Sequence, residues 1–315
     1  VKITIVTPAA PGTRHGNRNT AMRWARLLRE LGHRVEIQVS WDGTPADVMI
    51  ALHARRSHDS ARRFAGACPG RPLILVLTGT DLYRDIRADA DARASLRLAT
   101  HLVVLQEKGV AELPATLHPK TRVVYQSARA VPAPAPLVRC FEVVVSGHLR
   151  AEKDPFRCAA ALAHLPPSSR IAVTHIGRAM DSAMEREARE WMRREARYRW
   201  LGEQPHWRAL RMLARARLLV ISSRMEGGAN VASEALIQRV PVVASRISGN
   251  VGMLGADYPG YYPLENERAL ARLLWRAESD PRFYRRLRDA SRTRRPLVLP
   301  AQERDSLRRL LAELD

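Results

Sequence analysis

Residues 222–236 read SSRMEGGANVASEAL. The apolar run LLVIS, 218–222, leads in and an Ala-rich helical stretch, 229–238, leads out, so Gly227 and Gly228 sit where a strand hands over to a helix. Glycine lets backbone approach an anion closely, and the N–H groups of a helix start face it with the positive end of the dipole. Glu226 and Glu234 flank the pair with seven residues between them. Glu234, inside the helix, suits a neutral diol such as ribose, because a carboxylate only accepts hydrogen bonds. The pattern points to a nucleotide sugar. The same residues also fit a tight turn before a packed helix with two solvated glutamates, and short spacings match by chance.

Working outward, apolar runs alternate with amphipathic ones, which predicts parallel sheets covered by helices. In the first half the strands are expected at Lys2–Thr7, Val35–Val39, Val48–Leu52, Leu73–Leu77, Leu102–Leu105 and Val123–Tyr125. Ala21, Trp24, Ala25, Leu28 and Leu31 form one helical stripe that Gly32 ends. The segment AVPAPAPLVR, 130–139, has three alternating prolines and reads as a stiff connector. Strands resume at Phe141–Val145, Ile171–Ile176, Arg199–Leu201, Leu218–Ser222 and Val242–Ala244, and from Glu267 onward the pattern is helical and arginine-rich. The expected fold is α/β: two Rossmann-like doubly wound domains facing across a cleft, over 1–133 and 134–296. A C-terminal helix within 297–315 is expected to pack back on the first. Ligands of open α/β sheets bind beyond the carboxyl ends of the strands.

Composition narrows the function. The chain has 315 residues, enough for two cores. The formal charge of +20 is split evenly, +10 in residues 1–139 and +10 in 140–315, with no basic block. All the basic residues except Lys2, Lys108, Lys120 and Lys153 are arginine, and the aromatics are few and scattered, so a nucleic-acid partner is not expected. Cys68, Cys140 and Cys158 lie far apart and give neither a disulfide framework nor a metal-ligand spacing. With no signal-peptide pattern and no apolar run long enough to span a membrane, the expected place is the cytoplasm.

The loops after the strands carry the polar residues. TPAAPGTRHGNRNTA follows the first strand; Gly12, Gly16, Asn17 and Asn19 surround Arg14, His15 and Arg18, a setting for an anion or a polyhydroxyl group. A surface turn with incidental arginines is the alternative. His53 follows the third strand and the run TGTDLY follows the fourth, where Thr78, Thr80 and Asp81 either bind a hydroxyl group or cap a helix. SGHLRAEKDPF opens the second half, and Arg150 and Lys153 beside Gly147 would neutralise a leaving diphosphate. Gly177, in HIG, and Gly202-Glu203-Gln204 bring backbone near a nucleobase.

SGHLRAEKDP, HIG, RWLGEQ, SSRMEGGANVASEA and VPVVAS, in that order, resemble the donor half of the GT-B glycosyltransferases of family four, closely over 141–245 and more loosely in the first half. The resemblance implies a UDP-sugar co-substrate with no cofactor or metal. It gives Arg150 and Lys153 to the donor diphosphate, Glu234 to the ribose, Gly227, Gly228, Ala229 and Asn230 to the phosphate or sugar, and Glu226 to the transferred sugar or acceptor. Many members carry a histidine near TGTD; glycine and threonine stand here, and His53 is the substitute on offer. TPAAPGTRHGNRNTA, LTGTDLY and SRMEGGANVASEA together resemble the selenosugar synthases of selenoneine biosynthesis, which implies transfer of N-acetylglucosamine or glucose to selenophosphate or another small anionic acceptor. Arg14, His15 and Arg18 would be its counter-charges. An ordinary family-four enzyme with a sugar or lipid-linked acceptor is the alternative, and an epimerase of the same architecture would need no acceptor.

Overall fold

A computed structural model describes residues 1–12 and 16–314. The chain forms two compact units: Val1–Gln126 with Glu226–Gly228 and Pro300–Asp315, and Ser127–Met225 with Ala229–Leu299.

Unit 1 is built on a six-stranded sheet of β1 (Lys2–Val6), β2 (Arg34–Gln38), β3 (Val48–Leu52), β4 (Leu73–Leu77), β5 (His101–Val104) and β6 (Thr121–Val123), ordered β2-β1-β3-β4-β5-β6. Every pairing is parallel. VMIAL and LILVL, the central strands β3 and β4, are buried at every position, as continuous apolar runs must be when helices cover both faces. Successive side chains enter opposite cores. Met49, Ala51, Leu73, Leu75 and Leu77 pack with Phe64 and Trp41 on one face. Val48, Ile50, Leu52, Ile74 and Val76 pack with Trp24, Leu27 and Leu28 on the other. The helix Gly16–Glu30 buries Ala21, Trp24, Ala25 and Leu28 against the sheet, and Gly32 follows it in left-handed backbone, φ 89°.

The helix Pro300–Ala312 joins this second core through Leu307 and Leu310. Its Glu303 is fully buried and accepts from Arg23 Nε at 2.9 Å and from Trp24 Nε1 at 2.8 Å. Two donors on the helix Gly16–Glu30 thus hold the tail helix by one carboxylate.

Unit 2 carries β7 (Phe141–Ser146), β8 (Ile171–Ile176), β9 (Tyr198–Trp200), β10 (Leu218–Ile221), β11 (Val242–Ser245) and β12 (Tyr261–Tyr262), in the order β12-β11-β10-β7-β8-β9. All pairs are parallel. The edge strand β12 is absent from the sequence expectation because its two residues are too few to show a period. Residues 124–137 run without helix or strand, and Pro132, Pro134 and Pro136 explain why no ladder forms there.

The chain starts beside the edge strand in the first sheet and at the centre of the second, and in both it winds outward in two directions. The order reverses between β1 and β3 in unit 1 and between β7 and β10 in unit 2. At such a reversal the loops from neighbouring strands leave in opposite directions, opening a crevice at the carboxyl edge.

Glu303→Ala leaves the Arg23 guanidinium without its buried counter-charge and should cost about 3 kcal/mol of unfolding free energy. Glu303→Gln, which keeps an acceptor for Trp24, should cost less; denaturant titration of the two variants checks the order.

Candidate active site

The unit 2 crevice is formed by the loops after β7 and β10, and one serine ties them together. Ser222, directly after β10, donates through Oγ to the backbone carbonyls of Lys153 at 3.0 Å and Asp154 at 2.8 Å. Arg224 N–H adds a bond to the Glu152 carbonyl at 2.9 Å. The Arg150 and Lys153 loop is therefore held from the next strand over. Lys153 ends a short helical turn, Ala151–Lys153, and Asp154 follows in left-handed backbone, φ 44°. Arg157 pins that bend through Asp154 at 2.8 Å. The Lys153 stem lies over Gly147, its Cδ 3.9 Å from where a Cβ on Gly147 would stand. Arg150 is exposed and Lys153 half-buried.

The loop after β8 lies against the same glycine, and the loop after β9 lies against Gly177. Gly177 has φ 151°, and a Cβ there would come within 1.9 Å of the Gly147 carbonyl oxygen, so only glycine fits. Gly177 N–H donates to Gly202 O at 2.9 Å, and Trp200 Nε1 donates to Gly177 O at 2.8 Å. His175, fully buried on β8, has Nδ1 2.8 Å from the Tyr198 hydroxyl. Burial pushes its imidazole down to about 4, so it stays a neutral ring. Glu203 is exposed in the loop after β9.

The helix Asn230–Gln238 begins after Ala229, which is buried, extended and makes no side-chain cap bond. The helix start therefore presents its first N–H groups with no side-chain oxygen from the cap position. Glu234 lies one turn further on, its Oε1 3.8 Å from His206 Nε2 at the start of the helix His206–Arg215. Sequence reading brought Gly147, Arg150, Lys153, Gly177, Ala229, Asn230 and Glu234 to these strand ends. It missed Ser222, His175 and His206. Ser222 stands in the opening stretch, but its part depends on a loop 68 residues away.

Gly227 and Gly228 are closely packed. Protein fills the space a Cβ would need, as the tight-turn alternative expects. At Gly227 it would meet Thr78 O at 2.4 Å and Gly79 N at 2.7 Å; at Gly228 it would meet the Leu105 Cβ at 2.6 Å. The segment Glu226–Gly228 is part of unit 1, and its glycines are required by packing on the loop after β4 and the end of β5. Glu226 itself is 8% exposed.

In unit 1 the loops after β3 and β4 are joined by Asp81. Its carboxylate, fully buried, accepts from the N–H groups of Thr78 at 2.9 Å, Gly79 at 2.8 Å and Ala54 at 3.0 Å. With both oxygens engaged by backbone it acts as a staple between two loops. His53 follows β3 in left-handed backbone, φ 78°, an unfavourable state for a residue with a Cβ. Arg56 N–H donates to its Nδ1 at 3.3 Å, which leaves the proton on Nε2, 3.1 Å from Thr80 Oγ1. Burial lowers the His53 pKa, against the raising charges of Asp81 and Asp85. A buried carboxylate the sequence reading passed over, Asp85, lies 3.8 Å from His53 Nε2 and 3.2 Å from Arg55 Nε.

The loop after β1 includes Gly12, φ 79°, and the helix start at Gly16, Asn17, Arg18 and Asn19. The buried Nε of Arg18 has no hydrogen-bond partner. Arg14 and His15 lie outside the described residues. Among the described residues no group of three or more His, Cys, Asp or Glu is placed to hold a metal ion, and no helix is long and apolar enough to cross a membrane.

Residues 139–294, the span that holds the β7 and β10 loops, match the family model described as glycosyl transferases group 1. The chain is a glycosyltransferase. Similar solved structures include HepE of Anabaena in complex with UDP and glucose, at 16% identity, 99% of each chain covered and a TM-score of 0.78. Sucrose-phosphate synthase from Thermosynechococcus elongatus follows at 16% identity, 99% and 98% coverage and a TM-score of 0.78. A glycosyltransferase from Rickettsia africae gives 12% identity, 99% and 98% coverage and a TM-score of 0.75. At such identities the likeness carries the fold, and this glycosyltransferase has the GT-B fold of two Rossmann-like parallel-sheet domains. None of these structures bears the name of a selenosugar synthase, so the selenosugar resemblance gains no support from them. No curated protein matches the chain.

His175 yields a pH prediction. The unfolded ring takes up a proton near 6.5, while the folded one resists until about 4. Its contribution is complete above 6.5 and is lost as pH falls through that window, at a limit of about 1.4 kcal/mol per pH unit. Denaturant midpoints measured down this range should fall less steeply in His175→Asn than in the natural glycosyltransferase.

Proposed function

We propose that this glycosyltransferase moves a sugar from a UDP-sugar donor held by unit 2 to an acceptor recognised by unit 1, with an ordinary sugar or lipid-linked molecule as the first acceptor class. The observation that carries the donor assignment is the Ser222 tie, which sets Arg150 and Lys153 at the reversal between β7 and β10. The domain match and the HepE complex with UDP-glucose support it.

In this reading the departing diphosphate gathers negative charge as the glycosidic bond breaks. Arg150, Lys153 and the N–H groups at Asn230 are arranged to stabilise it, the kind of preorganised electrostatics that lowers such barriers most. Glu234 accepts from the ribose hydroxyls, and the Gly177 and Glu203 loops border the base. Glu226 faces the transferred sugar or the acceptor. In unit 1, neutral His53 is a donor aimed through Thr80, and Asp81 holds the loop on which Thr78 and Thr80 stand. Gly12 to Asn19 receive the acceptor. The reaction needs no cofactor besides the sugar nucleotide.

Selenophosphate, with N-acetylglucosamine or glucose as the sugar, is the second reading. The buried, unpartnered Nε of Arg18 favours an anionic acceptor, and a selenium nucleophile would need no strong general base. Incubation with UDP-glucose or UDP-N-acetylglucosamine, with and without selenophosphate, separates the two by mass spectrometry. A selenium-bearing sugar supports the second reading, whereas UDP release only with a carbohydrate or lipid-linked acceptor supports the first.

Lys153→Ala should lower kcat about a hundredfold, as loss of a charge-stabilising group does. Ser222→Ala, which frees the loop without removing a charge, should raise the donor KM with a smaller fall in kcat. Steady-state kinetics with the UDP-sugar reads both, and unchanged turnover in Lys153→Ala would sink the donor assignment.

A further inference from the structure

Away from these loops, unit 2 contains a cavity of about 280 Å³ lined by Arg239, Arg288, Asp289, Arg292 and Arg295. Arg288, Arg292 and Arg295 recur at intervals of four and three along the helix Pro281–Arg294 and the turn Arg295–Val298. That interval places them on one face. Arg239 ends the helix Asn230–Gln238 in left-handed backbone, φ 61°. The donor-side N-terminus of that helix lies roughly 13 Å away, at 1.5 Å per residue, and none of the residues assigned to the sugar nucleotide lines the cavity.

Four guanidiniums against one carboxylate leave the cavity with a surplus of three positive charges. Among the described residues none of these four arginines forms an ion pair, while arginines elsewhere on the surface commonly do. The buried Nε of Arg295 also has no hydrogen-bond partner, and a buried N–H left unmet is unfavourable. Helix C-termini attract cations, which accounts for Arg239 and Arg292 taken singly. It does not account for four like charges around one concavity with an unmet donor in its wall. Planar guanidiniums in this arrangement suit bidentate contacts to the oxygens of a phosphate.

We infer that this cavity is a second anion site, taking a phosphomonoester or pyrophosphate group on Arg288, Arg292 and Arg239, with Arg295 Nε as the buried donor. The group comes either from a free small molecule or from an anionic lipid headgroup.

The test titrates inorganic pyrophosphate calorimetrically into the full chain saturated with UDP, and in parallel measures sedimentation with phosphatidylcholine vesicles with and without phosphatidic acid. Arg288→Gln/Arg292→Gln should weaken binding by at least about tenfold. Arg186→Gln/Arg193→Gln, which removes the same charge from the helix Ser182–Arg194, should leave it unchanged. Arg239→Gln, at an exposed helix end, serves if the first double variant fails to fold. Variant-sensitive binding of pyrophosphate identifies a free ligand, and variant-sensitive binding of phosphatidic acid vesicles alone identifies a headgroup. Equal weakening by both double variants means general attraction to a basic chain and overturns the site, as does absence of binding in both arms. Comparison of variants reads the cavity whether or not UDP binds, so it stands apart from the donor assignment.

Discussion

A parallel sheet must be covered on both faces, because its hydrogen-bonded strands present apolar side chains above and below. Everything functional in this protein follows from that constraint. With the faces closed by helices, the polar chemistry of each unit is confined to the strand ends, and the reversal of strand order opens a crevice there. The loops after β7 and β10 and those after β1 and β3 occupy these positions, and the polar residues singled out in the sequence cluster on them.

Placement at a strand end is not yet a site, and backbone contacts supply the rest. In unit 2, Gly147 is held by the Ile176 carbonyl and packed against Gly177 from the neighbouring loop, while Ser222 fixes the carbonyls behind Lys153. In unit 1, Asp81 holds three backbone N–H groups from two loops. These polar groups are buried and fully engaged, so they act through geometry. The residues proposed to meet substrate are Arg150, Lys153 and Glu234 on one unit, and Arg18, Thr78 and Thr80 on the other.

The opening stretch shows how far local reading extends. Its strand-to-helix handover was legible because an apolar run and an Ala-rich amphipathic run are both local signals. The helix start at Asn230 and the position of Glu234 follow from it. The reason for Gly227 and Gly228 was not legible, since glycine is equally consistent with an anion nearby and with protein backbone nearby. Thr78, Gly79 and Leu105 take the space, and all three are more than 100 residues away in the chain. Strand β12 was missed for the opposite reason, being too short to carry a period at all.

The sequence by itself determined the alternation of strands and helices, the proline-rich break, and which loops hold cations, glycines and carboxylates, because periodicity and turn chemistry are properties of neighbouring residues. Only the tertiary structure decided the strand order, hence where the crevices open, and which buried group serves as a staple. It also decided that Arg239 lines the same cavity as Arg288, Arg292 and Arg295. Each of these depends on contacts between segments far apart in the chain, where no local pattern specifies the partner.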